Sequence, residues 1–292
     1  VSVSRPSEDL SWGVPVPDEP TQTIYVWLEA LSSYLSSVGY GNDDPASQAS
    51  FAKWWPADVQ VIGKDNLRFH AIIWPGVLLS AGLELPRTVF VHGFVNVGGQ
   101  KISKTVGNVI APNEAIAKYG TDPVRYYFLR EFPSHEDGDF SYKKFEERYN
   151  GDLANGLGNL VARVVTLAVK LKTRSPIQSG TKLKTTTQNL KLSEEINKAR
   201  AAYGKSIEEF KLHEALEAIW GLIHVGDRYL NDERPWEREK PAVIGNLLGL
   251  LFEIAHLLAP FLPETAEKIR AQISIEDSAV EIKKGGGLFP RL

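Results

Sequence analysis

The sequence predicts an α/β portion followed by an all-α portion, and three observations carry that expectation. Upstream of Ala111, short strand-like runs alternate with helical spacing, an order that suggests parallel strands with a helix between them. From Leu153 onward, apolar residues recur almost throughout at helical intervals. Glycine and proline mark the boundaries where regular structure must stop.

In order along the chain, residues 23–27 (Thr-Ile-Tyr-Val-Trp) read as a strand and 28–37 as a helix. Residues 59–63 have the pattern of a short buried strand. Lys64-Asp65 then turns the chain into a helix whose spacing aligns Leu67, His70, Ala71, Trp74, Val77 and Leu78. Pro75 is placed to kink it, and Gly82 to stop it. Residues 88–91 form another strand, and 94–97 run into a Gly98-Gly99 turn. A helix spans 111–120, Thr121-Asp122-Pro123 caps the next with proline in its first turn, and Ser141 caps a helix beginning at Tyr142. Further helices are expected over 142–172, 194–209, 212–230, 242–258 and 264–273, with 173–192 as a polar, exposed loop.

Composition bounds the function. The chain of 292 residues is long enough for two domains, and 43% hydrophobic with 24% charged residues is ordinary for a globular protein. No apolar run approaches the roughly 20 residues that span a bilayer, and no charged-then-apolar leader opens the chain. A cytoplasmic or organelle-matrix location is expected, with no membrane partner. With no cysteine there is no disulfide, thiolate nucleophile or cysteine zinc site. Methionine is also absent and the chain starts at Val1, so a fragment, a processed product or an engineered chain is expected. Net charge is −3, which supplies no global basic field for DNA. Between Asn159 and Lys191, however, lie seven basic residues and no acidic one. Such a stripe either attracts a phosphate backbone or is a solvated helix end and linker.

The most informative segment is Gly98-Gly99-Gln100-Lys101-Ile102-Ser103-Lys104-Thr105, followed by Val106-Gly107-Asn108. Two ammonium groups on flexible stems, beside hydroxyls and glycines, suit a loop that closes over a polyphosphate and stabilises the charge of a leaving pyrophosphate. A solvated hairpin with two surface lysines is the plain alternative.

Lys101-Ile102-Ser103-Lys104-Thr105 resembles the KMSKS signature of class I aminoacyl-tRNA synthetases. Other segments resemble methionyl-tRNA synthetases in particular: Ser4-Arg5 with Ser11-Trp12-Gly13-Val14-Pro15-Val16-Pro17, Tyr25-Val26-Trp27-Leu28-Glu29-Ala30, Gly63-Lys64-Asp65 with Arg68-Phe69-His70, and Val91-His92-Gly93-Phe94. So do Leu153-Ala154-Asn155, the run from Leu157 to Arg163, Asn231-Asp232-Glu233-Arg234-Pro235-Trp236 and Gly287-Leu288-Phe289-Pro290-Arg291. Together these cover nearly the whole chain in order. Two departures stand out. Nothing matches the family's HIGH motif, whose two histidines hold ATP, and the often zinc-binding connective insertion is missing. Ile102 stands where the family often has Met, a hydrophobic anchor that isoleucine also supplies.

The resemblance implies the second half of a Rossmann-like catalytic domain in residues 1–112, a helical stem-contact region in 113–150 and a helical anticodon-binding domain in 151–292. It implies activation of methionine by ATP with Mg²⁺, giving methionyl-adenylate and pyrophosphate, then transfer to the 3′ end of tRNA(Met). It requires no zinc in this chain, and it leaves room for a missing N-terminal half as a partner. Lys104 would stabilise the phosphates, Lys101 would assist, Ser103 would shape the loop, and 106–108 would hinge it. Gly63 and Asp65 would meet the adenosine, with Asp65 accepting from ribose hydroxyls. Trp27, Phe69, His70 and Trp74 would line the methionine pocket, with Arg5 near the substrate. Asn159, Arg163 and Trp236 would read the first base of a CAU anticodon.

Each of these residues also has a plain structural reading. Asp65 can be a helix cap, Phe69 and Trp74 core residues, and His70 a satisfied core histidine. Trp236 can be core packing, and Asn159 with Arg163 a surface pair. Two functional rivals remain at this point. Another class I synthetase would share the lysine loop but not the tryptophan-rich pocket or the Asn159/Arg163/Trp236 trio. A non-catalytic tRNA-binding module would bind tRNA without making adenylate.

Overall fold

A computed structural model of the chain describes residues 4–102, 110–174, 189–276 and 279–292. The chain divides into two compact units, Val1–His92 and Gly93–Leu292.

The first unit opens with three antiparallel strands, β1 (Ser4–Pro6), β2 (Pro15–Val16) and β3 (Glu19–Ile24), in the order β1-β3-β2. The expected strand at 23–27 ends early. Tyr25 is extended, and α1 (Val26–Ser36) begins immediately after it. Val26 and Trp27 favour strands locally, but here the Trp27 ring is stacked on Phe69, and tertiary packing overrides propensity. Helix α2 (Pro45–Trp54) was not foreseen from periodicity because none of its residues is buried. Its start was nonetheless written in the sequence: Asp44 accepts a hydrogen bond from the Ser47 amide at 3.0 Å, and Pro45 takes the first helical position.

Strand β4 (Val59–Gly63) pairs in parallel with β5 (Thr88–His92), as expected, with Gly63 opposite His92. The connection between them is not one regular helix. A 3₁₀ turn (Lys64–Asn66) and a π-helical turn (Phe69–Ile73) precede α3 (Trp74–Ser80). Pro75 cannot donate to the turn before it, which accounts for a widened turn at that place. Gly82 stops the helix with φ +69°. Leu31, Leu35, Trp74 and Leu78 form the small core of this unit.

The second unit begins with β6 (Val95–Val97) and β7 (Gln100–Lys101), an antiparallel hairpin turned by Gly98 and Gly99 at φ +61° and +73°. Strand β8 (Gly138–Phe140), too short to read from sequence, pairs in parallel with β6. Helices α4 (Pro112–Tyr119) and α5 (Thr121–Glu131) lie between. Helix α6 (Tyr142–Arg148) is capped by Ser141, whose hydroxyl accepts from the Lys144 amide.

The single long helix expected over 142–172 carries a π-helical stretch, Tyr149–Gly158, before α7 (Asn159–Arg174). Its side chains hold several partners together. Asp152 accepts from Tyr126 Oη at 2.8 Å and from Arg148 at 3.1 Å, while Asn150 and Asn155 accept from the Leu292 amide and the Arg291 guanidinium. Burial and the facing Asp152 carboxylate push the Tyr126 phenol far above its ordinary pKa.

Then follow α8 (Leu190–Glu208), α9 (Leu212–Glu233), α10 (Pro241–Leu258) and α11 (Pro263–Gln272). The expected loop over 173–192 is shorter at both ends. α7 runs to Arg174, and α8 begins at Leu190, where Asn189 caps it by accepting from the Leu192 amide. Arg234, left-handed at φ 45°, ends α9. A hairpin of β9 (Ile273–Glu276) and β10 (Ala279–Ile282) interrupts the expected all-helical ending.

Helix α10 corrects one sequence expectation. Its 18 residues are long and apolar enough, by composition, to cross a membrane, with a mean hydropathy of 1.7. Two thirds of it is buried among the other helices, as in a core helix of a bundle.

The bundle is tied to α5 by two polar side chains. Buried Asp122 accepts from both the amide and the hydroxyl of Thr265 at 2.6 Å, so it serves the start of α11, whereas its own helix has Gly120 at the cap position and no side-chain cap. The carboxylate thus sits at two positive helix ends. Arg125, one turn later, donates to the carbonyls of Phe261 and Pro260 at 2.7 and 2.9 Å, in the turn leaving α10. Asp122→Ala is expected to lower stability by about 2–3 kcal/mol through loss of a charge-assisted buried cap. Urea denaturation checks this, and a loss under about 0.5 kcal/mol, the scale of an ordinary surface change, would remove the cap from the account.

Candidate functional site

In the first unit, the carboxyl ends of the parallel strands bring Gly63, Asp65 and His92 together. A Cβ at Gly63 would stand 3.1 Å from Asp65 Oδ1 and 3.6 Å from His92 Cε1. The glycine has an ordinary φ of −74°, so a side chain here would meet no backbone strain, only the exposed end of Asp65. The ends of parallel strands are where open α/β sheets receive ligands. Asp65 lies within the 3₁₀ turn and Gly63 at its cap position, so Asp65 is not the cap. Its carboxylate is exposed.

Next to this edge is an aromatic cluster. Trp27 and Phe69 stack face to face, with centroids 4.1 Å apart and planes 13° from parallel. His70 is buried, and both of its nitrogens are engaged: Nδ1 lies 3.0 Å from the Asn66 carbonyl and Nε2 lies 3.0 Å from Tyr34 Oη. A carbonyl only accepts, so Nδ1 donates, and in the neutral ring Nε2 accepts from the tyrosine hydroxyl. Tyr34 was not singled out from sequence, although it lies seven residues after Trp27 and therefore on the same face of α1. Trp74 is fully buried behind this cluster, 6.0 Å from Tyr34 and 6.1 Å from Trp55. Arg5 lies on β1, its guanidinium 4.5 Å from the Tyr25 ring centroid.

In the second unit, the hairpin presents Lys101 with its ammonium 3.8 Å from the Phe94 ring centroid. Ser103, Lys104 and the 106–108 hinge lie outside the described residues.

The anticodon-type trio gathers at a seam between α7 and α9. Arg163 donates through Nη1 to Asp227 Oδ1 at 3.1 Å and through Nη2 to Asn231 Oδ1 at 2.6 Å. Asp227 and Asn231 are one turn apart on α9, so together they form a fork that fixes the guanidinium plane. The guanidinium carbon is 5.6 Å from the Trp236 ring centroid, and that indole is 48% exposed. Trp236 follows the left-handed Arg234 that ends α9, which turns the chain back toward Arg163. Asn159 is exposed one turn before Arg163 on α7. Asp227 was missed from sequence, since no local pattern marks the oxygen partner of a residue 64 positions away. The site therefore offers a flat ring, an oriented donor fork with hydrogens to spare and an exposed amide, the set that reads an unstacked base.

For the aromatic cluster, ¹⁵N–¹H NMR of the imidazole should report the Nδ1–H tautomer of His70, and Tyr34→Phe should shift its Nε2 resonance. An Nε2–H tautomer would contradict the arrangement.

Residues 1–165 match the family model for class I tRNA synthetases of the methionine type, and residues 179–284 match that of the anticodon-binding domain of methionyl-tRNA ligase. The methionine–tRNA ligase of Thermotoga maritima is 40% identical over 300 residues, covering 99% of this chain and 46% of the relative. That of Bacillus subtilis is 37% identical over 316 residues, covering 100% of this chain and 46% of the relative. The solved structure of Mycobacterium tuberculosis methionyl-tRNA synthetase in complex with methionyl-adenylate is 33% identical, with a TM-score of 0.84, and covers all of this chain and 60% of that one. The chain spans about half the length of the curated relatives it matches. With a family model across more than half its length and a second over the helical part, the chain belongs to the methionyl-tRNA synthetase family of class I aminoacyl-tRNA synthetases.

Proposed function

We propose that this chain serves the ligation of methionine to tRNA(Met), and that its helical domain reads the CAU anticodon. The observation that carries the reading is the exposed Trp236 beside an Arg163 guanidinium already oriented by Asp227 and Asn231. The first anticodon base would stack on the indole while Arg163 and Asn159 meet its acceptor edge. A cytosine offers acceptors there, where a uracil would present an N–H.

In the reaction, a carboxylate oxygen of methionine attacks the α-phosphorus of ATP, the bond to the bridging oxygen breaks, and pyrophosphate leaves. The terminal adenosine hydroxyl of the tRNA then attacks the adenylate carbonyl and releases AMP. No covalent intermediate with the enzyme is needed, so positioning and charge stabilisation do the chemistry. Lys104 and Lys101 would neutralise the departing pyrophosphate. Asp65 and Gly63 would receive the adenosine ribose. Trp27 and Phe69 would form the apolar wall for the methionine thioether, a group that favours aromatic neighbours, with His70 fixed by Tyr34 beside them. Trp74 would back that wall, and Arg5 would act near the substrate. Among the described residues, no three His, Asp or Glu side chains converge to hold an ion. Mg²⁺ would travel on the ATP phosphates, which hold it in such reactions. A tRNA- and ATP-containing compartment, the cytoplasm or an organelle matrix, fits this role.

Trp236→Ala should weaken binding of a CAU anticodon hairpin about tenfold or more, in line with ~1–3 kcal/mol for one stacked base. Filter binding with circular dichroism as the folding control checks it, and an unchanged affinity would remove the anticodon assignment. The 292-residue chain alone, with no counterpart of the HIGH histidines in its sequence, should bind that hairpin yet show little methionine-dependent ATP–pyrophosphate exchange. Robust exchange would overturn the claim that the HIGH histidines are needed for the activation step.

A further inference from the structure

We propose that Phe94 is the resting seat of the Lys101 ammonium and hence a positioning residue for that lysine. The proposal rests on reading that loop as a phosphate binder.

The argument starts from the hairpin. Phe94 immediately precedes β6 and Lys101 ends β7, so the Gly98-Gly99 turn folds the lysine back along the strand that begins at the ring. At 3.8 Å from the centroid, the ammonium is well inside the ~6 Å range over which a ring quadrupole attracts a cation.

The seat itself is held from beneath by one short segment. The Asp137 carboxylate accepts from the Phe94 amide at 2.8 Å, and the Phe94 carbonyl accepts from the Gly138 amide at 2.9 Å. The Asp139 carboxylate accepts from the Gly99 amide at 2.8 Å, which anchors the tip of the same hairpin. The approach is so tight that a Cβ on Gly93 would stand 2.0 Å from the Glu136 carbonyl oxygen, so only glycine fits there. The backbone that carries the ring and the turn are therefore held to residues 137–139, while the lysine stem is long and rotatable.

A cation on an aromatic face keeps its charge and gives up the contact readily. A phosphate oxygen is the stronger, charge-assisted partner. The ring thus holds the ammonium close to the strand when no phosphate is present and releases it when phosphate arrives.

The test follows the amine directly. Acylation of the intact chain with an N-hydroxysuccinimide ester, read at Lys101 by peptide mass spectrometry, should run about two- to fivefold faster in Phe94→Leu than in wild type. Exposed Lys143 serves as the internal reference and should not change. Phe94→Tyr keeps an aromatic face and should restore the wild-type rate, which a merely space-filling role for Phe94 would not require. Thermal melting establishes that both variants fold. An equal Lys101 rate in wild type and Phe94→Leu, or a Phe94→Tyr rate like that of leucine, would overturn the seat. Inorganic pyrophosphate added to wild type tests the underlying reading separately. If Lys101 is not altered by pyrophosphate while the Phe94→Leu effect stands, the phosphate reading falls and the seat survives.

Discussion

Three helices meet at Gly226, and the seam between α7 and α9 depends on that residue having no side chain. A Cβ there would come within 2.7 Å of Leu250 and 3.1 Å of Leu160, both completely buried. Glycine inside a helix costs about 1 kcal/mol relative to alanine, so its place in the middle of α9 needs a reason, and close packing supplies one. The next residue, Asp227, is one of the two that hold Arg163, and Leu160 on α7 lies between Asn159 and Arg163. The contact that closes the core is therefore the same contact that brings the donor fork of α7 to its oxygens on α9. Interiors packed to crystal-like density cannot absorb a methyl group without movement, and movement here would separate Arg163 from its partners.

Much of this architecture was legible in the sequence, for reasons that differ by element. The parallel pair β4 and β5, the helices of the bundle and the Gly98-Gly99 turn carry strong local signals: apolar runs, 3.6-residue periodicity and glycines with positive φ. What escaped was set by distant partners. Trp27 is a good strand former that lies in a helix because Phe69 gives its ring a face to stack on. Exposed α2 has no apolar stripe to detect, though Asp44-Pro45 announced its start. Strands of two or three residues, such as β7 and β8, exist only because they pair with each other's neighbours. Thr121-Asp122-Pro123 was expected to cap its own helix, but these residues lie within the first turn of α5 behind Gly120, and the Asp122 carboxylate is committed to α11, 143 residues away.

The candidate site shows the same division. Lys101, Trp27, Phe69, His70, Asn159, Arg163 and Trp236 could be picked out because a run of segments resembles one family in order. The residues that orient them could not. Tyr34 fixes the ring of His70, Asp227 and Asn231 fix the plane of Arg163, and Asp137 and Asp139 fix the lysine hairpin. Each is a common polar residue whose role appears only when the chain folds. Trp74 illustrates the opposite limit, since an aromatic residue at the right helical spacing turns out to lie wholly within the core.

The central claim is that the seam between α7 and α9 presents a preassembled reader for one unstacked base. A crystal structure of this chain bound to a CAU anticodon hairpin tests it most directly. The account predicts the first anticodon base stacked on the Trp236 indole, its acceptor edge on Arg163, and the Arg163 contacts to Asp227 and Asn231 unchanged from the free chain. An anticodon loop seated elsewhere on the bundle, with the indole still facing solvent, would contradict it.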